Sequence, residues 1–260
     1  MRSGLAQYGY WVWGLGLVTA LRLVLAAFIP LAPDEAYYRI WALAPAGGYL
    51  DHPPMVAVWA RMGMFLAGDT PLGVRLMGPL SACLGTVLVV QAASCWLRTQ
   101  LTPEQARIGA IRAGVLLNGT LSIGLGALVM TPDAPLLLFV ALMLWGLVHA
   151  CVGRQRWMWL VVGLAAGLGF ESKYTMLLPL GGLAVWLFAT RAGRVWLRTP
   201  WPFGAACVAV VCVIPVIWWN AQHGWVSFFK QGGRLETGIP HAPLALWASC
   251  WVDRPGWQAR

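Results

Sequence analysis

Tyr10-Trp-Val-Trp-Gly-Leu-Gly-Leu-Val-Thr-Ala-Leu-Arg22-Leu-Val-Leu-Ala-Ala-Phe-Ile29 is an apolar run with a single charge, Arg22. As a helix rising about 1.5 Å per residue, a run of this length matches the roughly 30 Å hydrocarbon thickness of a bilayer. It is too long for the apolar region of a cleaved signal and has no small-residue cleavage site after it, so it reads as a retained helix. Similar runs follow at 71–97, 108–130, 131–151 and 203–219. The run 157–188 exceeds one crossing and is interrupted by Glu171-Ser172-Lys173, which predicts a tight hairpin of two short spans. The expectation is an all-α polytopic membrane bundle of about seven spans. Residues 1–247 form its core, and 248–260 form an atypical tail.

Composition agrees. The chain is 59% hydrophobic and 10% charged, against about 25% charged residues in an ordinary soluble domain. So much apolar surface needs lipid as its solvent. The 17 Trp fit the headgroup level, where an apolar ring with an N–H donor is at home. A net charge of +9 raises nucleic acid as a partner. The arginines are scattered through short links, however, with no basic face, and nucleic acid is set aside. Cys83, Cys95, Cys151, Cys207 and Cys212 lie in or beside apolar runs without metal-site spacing and read as inert thiols.

The links are unequal. One side collects Arg2, Arg98, Arg107, Arg112, Arg154, Arg156, Arg191, Arg194 and Arg198 against one acid, Glu104. The positive-inside rule makes this side cytoplasmic, in a bacterial-type inner membrane. The other side, periplasmic on this reading, collects Asp34, Glu35, Asp51, Asp69, Asp133, Glu171 and Glu236 with Arg39, Arg61, Arg75, Lys173, Lys230 and Arg234. Its longest loop, 30–70, contains the apolar stretch 54–67, too short to span. Two interfacial helices over the outer mouth are therefore predicted.

Each outer cluster has a chemical and a local reading. Asp34-Glu35 can hold a metal or supply a general base; equally, Asp34 can cap the first interfacial helix. Asp51-His52 can reach a substrate, or Asp51 can cap the second. Thr131-Pro132-Asp133 opens a span, with Thr131 as its natural cap, yet a carboxylate at an apolar mouth calls for a partner. Lys173 can hold a phosphate as a point charge, or pair locally with Glu171. Asn220 and His223, beside Trp225, suit a sugar or a lipid headgroup, or an interfacial belt. Asp69-Thr70-Pro71 reads as the start of a span. The sequon Asn118-Gly-Thr120 lies inside an apolar run and is discounted.

In order, Asp34-Glu-Ala-Tyr-Tyr38, Asp51-His-Pro-Pro54, Thr131-Pro-Asp-Ala-Pro135, Ser172-Lys-Tyr174 and Asn220-Ala-Gln-His-Gly-Trp225 resemble the polyprenyl-phosphate-dependent glycosyltransferases of the protein-mannosyltransferase and aminoarabinose-transferase type, within the type-C superfamily. The resemblance spans about 10–247. It implies a sugar taken from a polyprenyl-phosphate carrier at the outer leaflet and passed, with inversion, to a lipid or protein acceptor. Asp34 would be the base or the acceptor-orienting carboxylate. Glu35 and Asp133 would support it, the three acids also being the candidate ligands of a divalent metal. Lys173, and more weakly Arg61, would meet the carrier phosphate. His52 and His223 would shape the pocket, with Asp51, Tyr174 and Asn220 completing the substrate-binding set. Members of such a family run longer, with further spans, so the tail suggests a truncated chain. The alternative is a transporter or flippase for a lipid-linked sugar, which would place ionisable groups mid-span on broken helices. Arg22 is the one clear mid-span charge.

Overall fold

A computed structural model describes residues 2–233. The tail 248–260 and the outer-side Arg234 and Glu236 lie outside the described residues. Those described are helical, without strands.

The first span is α1, Arg2–Phe28. Two interfacial helices follow as expected, α2 (Pro33–Leu43) and α3 (Met55–Ala67). A short α4 (Pro71–Arg75) leads into α5 (Met77–Leu97). Thr70 begins α4 as the sequence suggests, its hydroxyl accepting from Gly73 N at 3.0 Å. Then come α6 (Pro103–Gly119), α7 (Leu121–Gly124) and α8 (Asp133–Cys151). The predicted hairpin is α9 (Met158–Ser172) and α10 (Leu177–Ala189), with a 3-10 turn at Tyr174–Met176. Lys173 is extended at the break. The short α11 (Arg191–Trp196) precedes α12 (Trp201–Gln222) and α13 (Val226–Gly233).

Among the described residues, length and composition qualify four helices as crossings: Tyr10–Phe28, Pro71–Leu97, Asp133–Cys151 and Trp201–Gln222. The expected seven also counted α9 and α10, which at 15 and 13 residues fall short of a straight crossing. The third predicted span, 108–130, is not one helix. It starts earlier, where Thr102 and Gln105 form a capping box. It then bends by 74° between α6 and the segment Leu121–Leu128. Thr120 adopts an extended conformation there and caps α7 through Ile123 N. Arg22 holds the bend, donating to Asn118 Oδ1 at 2.9 Å and towards the Gly124 carbonyl. Asn118 in turn donates to Thr86 Oγ1 and to the Gly114 carbonyl, both at 2.9 Å. The mid-span charge is thus bonded within the fold.

The membrane helices stack in the order α6, α5, α8, α9, α12. Between α9 and α12 the backbones touch. A Cβ at Gly163 would lie 2.1 Å from the Ala205 carbonyl oxygen, and one at Gly167 would lie 2.4 Å from Cys212. In lipid, where burial gives helices little reason to associate, such close packing drives the pairing. Pro215 interrupts the ladder of α12. The carboxylate of Glu171, buried in the same interface, accepts from Val216 N at 3.4 Å. Exposed Leu17, Leu21, Phe28, Leu178, Val185 and Phe188 complete an apolar exterior suited to acyl chains.

The outer layer hangs on one ion pair. Arg75, on α4, and Glu35, on α2, are 2% and 0% exposed. Arg75 donates to both Glu35 oxygens, through Nε at 2.7 Å and through Nη2. Its remaining N–H groups reach the carbonyls of Ala26, Ile29 and Pro30, where α1 ends. Glu35 also accepts from Ala32 N and Met130 N, each at 2.8 Å. All five guanidinium donors are used, and the carboxylate accepts four bonds. Breaking a buried pair strands the other charge at a cost of about 3–5 kcal/mol. Arg75→Met is therefore expected to lower the melting temperature of the detergent-solubilised chain sharply, or to prevent its accumulation. Adding Glu35→Leu should restore part of the loss. A single variant that melts like the parent would refute the anchoring role.

Candidate functional site

The helix α2 begins at Pro33, whose fixed φ suits a first turn. Glu35, three residues beyond Ala32, closes the turn on the Ala32 N–H. The expected Asp34 cap is therefore absent: the cap position is Ala32, and Asp34 is left exposed at the helix N-terminus, an end that favours negative charge. Glu35, expected beside Asp34 in the site, instead lies beneath it with its oxygens committed to Arg75 and two backbone amides.

Tyr38 follows Asp34 by one turn and is buried. Burial pushes its phenol up to about 12, and the nearby charges of Asp34, Asp51 and Asp133 push in the same direction. The charges of three acids, two from the first long loop and one from the start of α8, thus act on one ring. His52 meets that ring edge-on at 6.3 Å. Trp41 packs against it at 5.2 Å and stacks on Tyr49 at 4.2 Å. The loop carrying Tyr49 is seated on α12, where a Cβ at Gly48 would strike Trp219 at 2.8 Å.

Asp51 does not cap α3; Pro54 occupies that position. Asp51 accepts from the Tyr37 hydroxyl at 3.1 Å and pairs with Lys230 of α13. Gln231 also donates to its carbonyl. The predicted Thr131 cap is likewise replaced, since Pro132 precedes α8 and no side chain caps it. Asp133 has found its partner: Lys173 donates to both carboxylate oxygens at 2.8 Å. This pair joins α8 to the α9–α10 break and supersedes the local Glu171–Lys173 alternative. Its members are 49% and 29% exposed. Beneath Thr131 and Asp133 an apolar recess of about 340 Å³ runs between α5 and α8, past Ser81, Gly85, Leu137 and Leu144.

The remaining expected residues have mixed fates. The Tyr174 hydroxyl lies 2.8 Å from Ser227 Oγ on α13, next to the Lys173 pair. Asn220 is fully buried behind Tyr174, with Nδ2 on the Val216 carbonyl at 2.9 Å, so it supports the wall and does not line the mouth. His223 is exposed, stacked on Trp219 at 4.1 Å. Arg61 donates to the Ala42 carbonyl at 2.9 Å and so closes the end of α2. Arg75 and Ser227 were missed. The one available signal was an arginine on the arginine-poor side, beside a span.

A divalent metal was expected on Asp34, Glu35 and Asp133. These residues do not fit one. Glu35 is consumed by Arg75, and among the described residues no three of His, Cys, Asp and Glu converge on a common point.

Ion pairing sorts the acids. Among the described residues, Glu35, Asp51, Asp69, Glu104 and Asp133 are each paired with a base. Glu171 accepts from a backbone amide. Of the described acids, Asp34 alone has neither an ion pair nor a side-chain hydrogen bond to another described residue.

Residues 51–219 match the family model described as dolichyl-phosphate-mannose-protein mannosyltransferase. The chain belongs to this family. The mannosyltransferase-family segment thus begins at Asp51 and ends at Trp219, with Asp34 and Glu35 ahead of it. The chain is 30% identical over 191 residues to the lipid A galacturonosyltransferase RgtD of Rhizobium johnstonii, covering 73% of this chain and 38% of that protein. It is 28% identical over 185 residues to an undecaprenyl phosphate-alpha-4-amino-4-deoxy-L-arabinose arabinosyl transferase of Pectobacterium atrosepticum, covering 68% and 32%. It therefore spans about a third of the length of these relatives. No solved structure matches the chain. The family expected from the five ordered motifs is the family found.

The surroundings of Tyr38 have a measurable consequence. Its raised pKa favours the neutral phenol in the fold, and that contribution to stability is lost as pH rises from about 10, where a free phenol ionises, to about 12. In an ultraviolet titration, the difference between parent and Tyr38→Phe should place one phenolate transition near pH 12. A transition near pH 10 would contradict this enclosure.

Proposed function

We propose that this chain carries the donor and base half of a membrane glycosyltransferase that uses a polyprenyl-phosphate sugar. The observation that carries the proposal is the bidentate Asp133–Lys173 pair at the mouth, with Asp34 the acid that has no ion pair among the described residues. Asp34 takes the proton from an acceptor hydroxyl or amine as it attacks the anomeric carbon. The bond from that carbon to the carrier phosphate breaks on the opposite face, and the phosphate leaves with the electron pair. Inversion follows from a single displacement.

Lys173 suits the phosphate. An ammonium has three N–H donors, and Asp133 takes two of them. The third is left for a phosphate oxygen, so leaving-group charge is met by a pre-placed cation. Asp133 then positions Lys173. The apolar recess that opens beneath Asp133 suits the start of a prenyl chain. Tyr174, beside Lys173, and His52, beside Tyr38, line the sugar side. His223 and the Asp51–Lys230 pair border the acceptor side. A lipid acceptor is favoured by the relatives named for lipid A and arabinose transfer. Arginine asymmetry supports an inner-membrane location with this mouth on the periplasmic side.

The transporter reading has one observation in its favour, the break between α6 and α7 facing Arg22. That charge, however, is spent on Asn118 and Gly124 in holding the bend.

The test uses membranes containing the chain, labelled polyprenyl-phosphate sugars and lipid A-type acceptors. Loss of a general base costs about 10²–10⁴-fold in rate. Asp34→Asn should therefore abolish detectable transfer while membrane insertion is unchanged. Near-normal transfer by that variant would sink the base assignment. Lys173→Ala should weaken donor binding about tenfold, as loss of one charge-assisted bond implies; unchanged binding would remove the phosphate role.

A further inference from the structure

The face opposite the Asp133–Lys173 mouth is built differently. There α5 ends, α6 begins and α8 ends, and a polar recess of about 570 Å³ lies among them. Arg98, Arg107, Gln91, Gln155 and His149 line it, and no acid does. Arg107 is buried and paired with Glu104, whose own side chain is mostly exposed. His149 Nδ1 lies 2.9 Å from the Trp145 carbonyl. An acceptor there requires Nδ1 to carry the hydrogen, so Nε2 is left as an acceptor for a ligand hydroxyl.

Trp11 and Ile111 line this recess and also a second, apolar groove of about 680 Å³ between α1 and α6. Gly14, Leu15 and Val18 form one wall of the groove, Ile108 and Val115 the other, and Arg112 sits on its rim. A Cβ placed at Gly14 would meet nothing within 4 Å, so the groove is open at that point. A cationic recess thus adjoins an apolar channel across two shared residues. Arginines in links need no ligand to explain them, since orientation alone favours them there. Orientation does not require a walled recess without acids, joined to a groove long enough for an alkyl chain. A basic pocket between membrane helices, set against such a groove, is complementary to a phosphate headgroup and its tail.

We propose that this composite site holds an anionic phospholipid of the adjacent leaflet. The headgroup phosphate lies between Arg98 and Arg112, a headgroup hydroxyl faces His149 Nε2, and one acyl chain lies in the α1–α6 groove. The site is distinct from the donor mouth and does not depend on the glycosyltransferase reading.

Native mass spectrometry of the purified 260-residue chain, titrated with dioleoyl-phosphatidylglycerol and dioleoyl-phosphatidylcholine, tests it. The anionic lipid should bind about tenfold more tightly than the zwitterionic one. Arg98 and Arg112 are exposed, so their replacement spares the fold. Each Arg→Ala should weaken phosphatidylglycerol about fivefold, from roughly 1 kcal/mol per basic residue. Gly14→Leu, which fills the groove and favours helix, should weaken the diacyl lipid while leaving soluble glycerol phosphate binding as before. Equal binding of the two lipids would overturn the proposal, as would indifference to the paired Arg98→Ala and Arg112→Ala changes. Diacyl binding unaffected by Gly14→Leu, or glycerol phosphate binding as tightly as the lipid, would show an ion site and overturn it too.

Discussion

The contact between Arg75 and Glu35 is the constraint on which the outer half of the molecule rests. A guanidinium has five donors in a rigid plane, and here each has a different task. Two hold a carboxylate and three close the carbonyls at the end of the first membrane helix. The carboxylate, in turn, starts the first interfacial helix and grips the amide of Met130. Such a pair adds little net stability, because desolvating two charges offsets most of their attraction. Its effect is positional: it ties the end of α1, the start of α2, α4 and the approach to α8 at one place, and Asp34 and Asp133 project from that frame.

Around this frame the outer face neutralises its charges two by two. Arg39 meets Asp69, Lys230 meets Asp51, and Lys173 meets Asp133. Pairs this exposed are weak and exchangeable, which suits the phosphate and acceptor proposed for this mouth. Asp34 stands outside the pairing. The packing of Tyr38 against Trp41 and His52 gives that mouth a firm floor, while α13, through Ser227 and Lys230, forms one of its walls.

Much of this was legible in the sequence. Apolar runs of membrane length mark helices because lipid offers no partners to a bare backbone. The two interfacial helices followed from run length, and the hairpin broken at Lys173 from run length together with the polar Glu171-Ser172-Lys173. Local capping was read less well. Asp34, Asp51 and Thr131 have the right chemistry for caps, yet each cap position fell to a neighbouring residue. The Asp34 case turned on Glu35, which accepts from the Ala32 amide and so closes the first turn with the cap position two residues before Asp34. The role of Glu35 itself was hidden because its partner lies 40 residues away. The bend after Gly119 was missed because Thr120 looks ordinary in an apolar run until its hydroxyl is seen capping the next turn.

The bonds of Glu35 also impose an order on biogenesis. Its first donor, the Ala32 amide, is synthesised before it, but Arg75 emerges 40 residues later and Met130 95 residues later. Until then an unpaired carboxylate rests at the membrane surface, where water can still solvate it. Burial can follow only when the translocating ribosome has delivered the arginine to the same side. A topologically inverted segment would leave each charge alone, so the pair can close only when α2 and α4 lie on one side of the membrane.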